Sequence, residues 1–254
     1  MTQADAAQQL AEMAAAQEEL LRAVAHDLRA PLRHVGAYGA LVRESLCELP
    51  PDTLNAPGTQ EALGLLSSLE QSARRMGRMI DGLQALLCAS RAPLRAEPIP
   101  LARAVAQARA TLASAEAGRT VQWRVGAQLP TLRADSALLQ ELLVQLLGNA
   151  LKFTRQSAQP CISVHADEAA AAGQAAFTVQ DNGAGFDPAH AAQLFGLFQR
   201  LHRESEFDGV GAGLALCRAI ARRHSGTITA SAVPGGGCTV RLEWPAAAAT
   251  ESCA

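Results

Sequence analysis

The stretch ELLVQLLGNALKFT, residues 141–154, decides how the second half of the chain is built. Its leucines fall on one face of a helix and supply a core stripe. Glu141, Gln145 and Asn149 recur every four residues and form a polar row on another face. Amides and a carboxylate that interrupt an apolar helix either make a solvated face or hold a cation or phosphates, and the stretch alone leaves both open. Lys152 lies near the same row, within reach of a phosphate. The pattern predicts a helix over about residues 136–153, with Asp135 as its N-cap.

Downstream, CISVHA and AAFTVQD read as strands, and the second runs into DNGAGF, residues 181–186. Glycines at 183 and 185 free the backbone to turn tightly and to approach a ligand, and a carboxylate at the strand end can accept a hydrogen bond from an exocyclic amine. A plain Asp-Asn-Gly turn is the competing reading. GVGAGL, residues 209–214, places glycines at every second position before a helix predicted over 213–224. Backbone amides there suit phosphate, although the spacing matches neither a Rossmann nor a Walker motif. A final hairpin, GTITASAV-PGGG-CTVRLEW, turns at Pro234 to Gly237. With a helix over 101–115 and the strand-like TVQWRV, this half reads as an α+β sandwich, helices on one face of a mixed sheet.

The first half has a different rhythm. From residue 11 to about 49 the only strong helix breaker is Pro31, and Leu21, Val24, Leu28, Pro31, Val35, Tyr38 and Val42 follow steps of three and four. LPPDTLNAPGTQ, residues 49–60, reads as a turn, after which Leu66, Leu69, Ala73, Met76, Ile80, Leu83 and Leu87 repeat the seam. Two seamed helices make an antiparallel hairpin, and two hairpins make a four-helix bundle. Within AVAHDLRAPLRHV, residues 23–35, His26 points away from the seam, and Pro31 predicts a bend one turn beyond it. A solvated polar residue would sit there equally well. Arg74, Arg75 and Arg78 make either a partner patch or a solvated face. RAPLRAEPIP, residues 91–100, marks the exit from the hairpin, and the end of the chain, 246–254, reads as a frayed tail.

Composition narrows the partners. A net charge of −2 gives no reason to expect nucleic acid or an anionic membrane, and no apolar run approaches the length of a membrane span. The N-terminus lacks the features of a signal peptide, so a cytoplasmic location is expected. The six cysteines show no CxxC or Cys/His spacing and read as reduced, mostly buried side chains.

Taken in order, these motifs resemble the sensor histidine kinases of two-component signalling. AHDLRAPL resembles the H box, GNALKFT the N box, DNGAGF the G1 box, LFGLFQRLH (residues 194–202) the F box and GVGAGL the G2 box. The wording HDLRAPLR and QRLHRESEF resembles the phytochrome-like branch most. The resemblance implies a helical dimerisation and phosphotransfer hairpin over 1–92, a four-helix bundle as a dimer, followed by a Bergerat (GHKL) type ATP-binding α+β sandwich over 97–245. It implies that ATP and Mg²⁺ bind here, with Asp181 reading the adenine amine and Asn149 holding the metal, Gln145 being a second metal contact. It implies that Gly183 and Gly185 hug the nucleotide and that Gly209, Gly211 and Gly213 wrap the phosphates at the hinge of a lid over 187–208. Phe195 and Phe198 would anchor that lid, and Lys152 would neutralise phosphate charge. His26 would take the γ-phosphoryl group with Asp27 holding its ring tautomer, in a homodimer that passes the group to an aspartate of a response-regulator receiver domain.

No sensory domain is read in the sequence, so a separate sensor or upstream partner is a further implied partner. Four positions depart from the family pattern. Gln145 replaces a first N-box asparagine, and Val210 and Ala212 replace a threonine and a larger aliphatic in the G2 box. Ala30 stands where many relatives carry a polar residue needed for the reverse, phosphatase reaction. The departures at Gln145, Val210 and Ala212 motivate the alternative of a catalytically weak or inactive dimeric scaffold of the same ancestry.

Overall fold

The computed structural model describes residues 3–91, 93–167, 173–203 and 205–246, so of the tail only Ala246 is described and 247–254 lie outside it. The chain divides into two compact units, Met1–Leu87 and Cys88–Ala254.

The first unit is a helical hairpin. Helix α1 (Gln3–Cys47) runs through Pro31 without a break, a single turn of helix α2 (Pro51–Leu54) occupies the proline-rich loop, and helix α3 (Pro57–Arg91) returns. The loop expected as a turn thus carries a short helix of its own, because Pro51 sits at the first helical position, where its missing N–H costs nothing.

On α1 the inner contact lies one residue beyond the expected seam, whereas on α3 the expected seam residues Ala73, Ile80 and Leu87 are buried. Ala25 and Ala73 are buried, and Gly39 and Gly77 let the helices approach, with a Cβ at Gly77 landing 3.6 Å from Leu32. Arg29 pairs with Asp81 at 2.6 Å and Arg43 with Glu70 at 3.1 Å along the same line. Small residues win this position because they allow close backbone approach. On α1 the larger seam residues Val24, Leu28, Val35, Tyr38 and Val42 therefore stay exposed, as do Leu69 and Met76 of α3.

The second unit is an α+β sandwich. After strand β1 (Ala96–Pro100) come helices α4 (Leu101–Thr111) and α5 (Ala113–Glu116), strands β2 (Gln122–Val125) and β3 (Thr131–Asp135), and helix α6 (Ser136–Phe153). Strands β4 (Cys161–Asp167) and β5 (Gln174–Asp181), a 3-10 turn (Pro188–Gln193), helix α7 (Gly213–Arg223) and the hairpin β6 (Thr227–Val233) and β7 (Gly237–Pro245) complete it. The main sheet has the order β2-β4-β5-β7-β6, parallel only between β2 and β4. The antiparallel pair β1–β3 was not anticipated from sequence. AEPIP holds two prolines and fits only where one edge needs no ladder donors, as in a two-stranded ribbon.

Between helices and sheet lie Leu101, Leu139, Leu142, Leu143, Leu147, Leu151, Ile162, Phe177, Ile220, Leu242 and Trp244, all fully buried. The start of α6 is fixed by Asp135, whose Oδ1 accepts from the Ala137 and Leu138 amides at 3.1 and 3.2 Å, while Oδ2 accepts from Arg95 N–H at 3.1 Å. The N–H of Asp135 donates to Nε2 of buried His224, whose Nδ1 donates to Ile220 O at 2.8 Å. Burial holds His224 below its ordinary titration range, so the ring stays neutral and both nitrogens keep these roles. Replacing Asp135 with alanine removes the cap and is expected to destabilise this unit by about 1 kcal/mol or more, read as a lower urea midpoint.

Candidate functional site

Helix α6 carries its polar row half-buried, facing α7 and the loop that precedes it. Gln145 does not reach outward. Its Nε2 donates to Glu141 Oε1 at 2.9 Å, and its Oε1 lies 2.5 Å from where a Cβ on Gly213 would stand. A side chain at residue 213 would thus have to displace the Gln145 amide. The side chain of Asn149, one turn further along, makes no hydrogen bond within the described residues and presents a free amide.

At the end of α6 the chain gathers positive charge. Lys152 Nζ stands 4.3 Å above the Phe153 ring, and burial, then the nearby Arg200 and Arg155 guanidiniums, push its ammonium down to about 8 against a weaker pull from Asp208. Arg155 pairs with Asp208 at 3.3 Å. Arg200 clasps the backbone at two points, donating to Phe207 O at 2.6 Å and to Gly209 O. Three cations with one carboxylate among them make a pocket that favours an anion. Arg200 and Arg155 were not singled out from sequence. Arg155 directly follows GNALKFT and Arg200 lies within LFGLFQRLH, but only the fold brings them to Lys152.

Asp181 ends β5 as the sequence suggests. Its carboxyl accepts from Gly183 N–H at 2.8 Å and from the Cys238 amide, yet burial dominates and pushes it up to about 6. The loop beyond it is stitched on both sides. Ala184 N–H donates to Phe153 O at 3.2 Å, and Ala184 O accepts from Gly235 N–H at 2.7 Å. A Cβ on Gly183 would come within 2.5 Å of Phe153 O, so the fold itself, before any ligand, demands glycine here.

The segment between the 3-10 turn and α7 has no helix or strand among its described residues. Phe195 is buried, while Phe198 adopts a left-handed φ of 62° and donates its N–H to Gly211 O at 2.9 Å. Gly209 and Gly211 also have positive φ, 129° and 75°, and Gly209 lies beside Lys152. Lys152, Asp181, Gly183, Gly185, Gly209, Gly211 and Gly213 are thus held within one connected set of loops at the ends of α6 and β5. His26 and Asp27 belong to the first unit. There, Nδ1 of His26 lies 3.1 Å from Asp27 Oδ1, with both side chains 81% exposed. With hydrogen on Nδ1, the lone pair of Nε2 faces solvent.

Among the described residues no three His, Cys, Asp or Glu side chains converge. A Mg²⁺ bridging phosphates needs only one or two protein oxygens, and the free Asn149 amide suits that role. No described helix is long and apolar enough to cross a membrane.

Comparison with known proteins follows the same division. Residues 134–248 match the family of histidine kinase-, DNA gyrase B- and HSP90-like ATPases. The chain is 29% identical over 252 residues to the sensor protein KdpD of Escherichia coli, covering 97% of this chain and 27% of that protein. It is 30% identical over 222 residues to cyanobacterial phytochrome A of Nostoc sp., covering 87% and 27% respectively. The chain thus spans about a quarter of the length of these relatives. In fold it is similar to full-length ShkA, solved in complex with AMPPNP, at a TM-score of 0.61 and 23% identity over 90% of this chain and 46% of that one.

Proposed function

We propose that this chain, which carries the catalytic region of a sensor histidine kinase, binds ATP in its second unit, phosphorylates His26 and passes the phosphoryl group to an aspartate of a response regulator. The observation that carries the reading is the pairing, in one chain, of an anion-favouring loop cluster beside a buried carboxylate with an exposed His–Asp pair.

Asp181 would accept from the adenine amine. Lys152, with Arg200 nearby, would meet the phosphates, and Gly209 and Gly211 would let the backbone follow them. Asn149 would hold Mg²⁺, which neutralises triphosphate charge when bound. At His26, Nε2 attacks the γ-phosphorus, the bond to the bridging oxygen breaks and ADP leaves. Asp27 accepts from Nδ1–H, which keeps Nε2 unprotonated beforehand and stabilises the imidazolium that forms. Transfer of this kind depends on positioning and charge stabilisation more than on further covalent chemistry. The exposed stripe of Val24, Leu28, Val35, Tyr38 and Val42 supports pairing of two hairpins into a four-helix bundle. We assign dimerisation and phosphotransfer to residues 1–92 and nucleotide binding to 97–245. Ala30 offers no polar group one turn after His26, which favours kinase over phosphatase activity.

The test is incubation with γ-labelled ATP and Mg²⁺. An acid-labile, alkali-stable label is expected on the wild type and none on His26→Gln or Asn149→Ala. A wild type that binds ATP yet takes no label would leave the scaffold reading in place, a role to which the inward commitment of Gln145 lends weight.

A further inference from the structure

The second unit contains a histidine that the proposed chemistry does not use. His202 lies in the irregular segment before α7, and its Nε2–H donates to Gly185 O at 2.8 Å. Its ring packs 5.4 Å from Phe153 and 5.0 Å from Phe207, and those two meet edge-to-face at 5.0 Å. One imidazole thus joins three places: the last residue of α6, the loop after Asp181 and the far end of the lid.

The two ends of this contact are held differently. Gly185 belongs to the loop stitched to Phe153 O and Gly235 N–H, and its own φ is 62°. The lid side has no regular ladder among its described residues. It rests on Phe207, which is buried, on the Arg200 clasp of Phe207 O and Gly209 O, and on the Phe198–Gly211 bond. A segment without helix or strand hydrogen bonds among its described residues that donates one directed hydrogen bond to a carbonyl of a loop stitched on both sides, with flat rings to guide it, has the makings of a latch.

We infer that His202 is a positioning residue that latches the lid onto the loop following Asp181, and so closes one side of the adenine-nucleotide site. The inference rests on the nucleotide-site reading above. His202 would touch neither nucleotide nor phosphoryl group. It would slow nucleotide escape by holding the lid where Lys152 and Arg200 already stand.

Two substitutions separate the bond from the packing. His202→Phe keeps a ring in the cluster but has no N–H to donate, whereas His202→Gln keeps an N–H donor at similar reach without the ring. In the full chain, His202→Phe is expected to raise the dissociation rate of a fluorescent ADP about 2- to 10-fold, the range of one neutral hydrogen bond. It should also speed tryptic cleavage after Arg203 in the absence of nucleotide. His202→Gln should recover part of both effects. Unchanged dissociation and unchanged proteolysis in His202→Phe would overturn the latch, as would failure of His202→Gln to recover either. If the wild type itself fails to bind the fluorescent ADP, the nucleotide reading falls, and the proteolysis comparison still decides whether His202 holds the segment.

Discussion

Asp181→Asn is expected to weaken ATP binding by two to three orders of magnitude while making the unliganded second unit more stable at neutral pH. Both effects come from one buried carboxylate. Burial pushes Asp181 up from the ordinary 3.8 to about 6, against the pull of its two backbone donors. Between those values the folded chain holds a proton that the unfolded chain has released. Its contribution to stability is therefore full below about 3.8 and is lost as pH rises through about 6. Above that, the ionised group costs the fold up to roughly 3 kcal/mol, at 1.36 kcal/mol per pH unit.

An amide removes that cost. Urea unfolding at pH 7.5 should show the variant more stable by about 1–3 kcal/mol, with the difference vanishing near pH 3.5. The oxygen bonded to Gly183 N–H fixes how an amide would sit, which turns its NH₂ towards the ligand. A donor then faces the adenine amine in place of a charged acceptor, and about 3–4 kcal/mol of binding is lost. Wild-type affinity should likewise fall as pH drops below about 6. Titration of a fluorescent ATP analogue checks this, and undiminished affinity in the variant would exclude Asp181 as the adenine contact. The fold tolerates a destabilising carboxylate here, as binding sites commonly do.

Gly185→Ala should cost the second unit at least about 3 kcal/mol, more than a bound nucleotide of ordinary affinity offsets. Its φ of 62° carries a penalty of about 1–2 kcal/mol for any residue with a Cβ. The added carbon would also stand 2.9 Å from Gly237 O and closer still to Val233 O. Both are backbone atoms of the β6–β7 hairpin, held by the Val233–Gly237 register, so neither can swing aside. Gly235→Ala is the matched control. It has a φ of 71° and nothing within 4 Å of the added carbon, so it should lose only the conformational part, about 1–2 kcal/mol. Paired urea melts measure the difference, and equal losses would remove the packing argument.

That contrast also marks where sequence reading ends. DNGAGF and GVGAGL were legible as tight glycine loops beside a nucleotide, but the sequence offered ligand approach as the reason for the glycines. In the structure Gly183 gives way to Phe153 O and Gly185 to the hairpin. The cause is contact between segments far apart in the chain, and no local pattern carries it. Arg200 and His202 escaped notice on the same ground, since their partners are main-chain carbonyls that any residue supplies. The heptad seam is buried on α3 at Ala73, Ile80 and Leu87, as the sequence suggests, yet on α1 Ala25 and Gly39, not the large seam residues, face the inner contact.

The sequence by itself determined the helical hairpin with its outward His26, the α+β sandwich behind it, the Asp135 cap and the identity of the motif loops. Each of these rests on periodicity or on a short-range rule, which needs only neighbours in the chain. Tertiary structure alone decided the β1–β3 ribbon, the burial that lifts Asp181 and lowers Lys152, the turning of Gln145 onto Gly213 and the seating of His202 on Gly185. Those depend on which distant atoms meet, because burial and hydrogen-bond pairing are properties of three-dimensional neighbours.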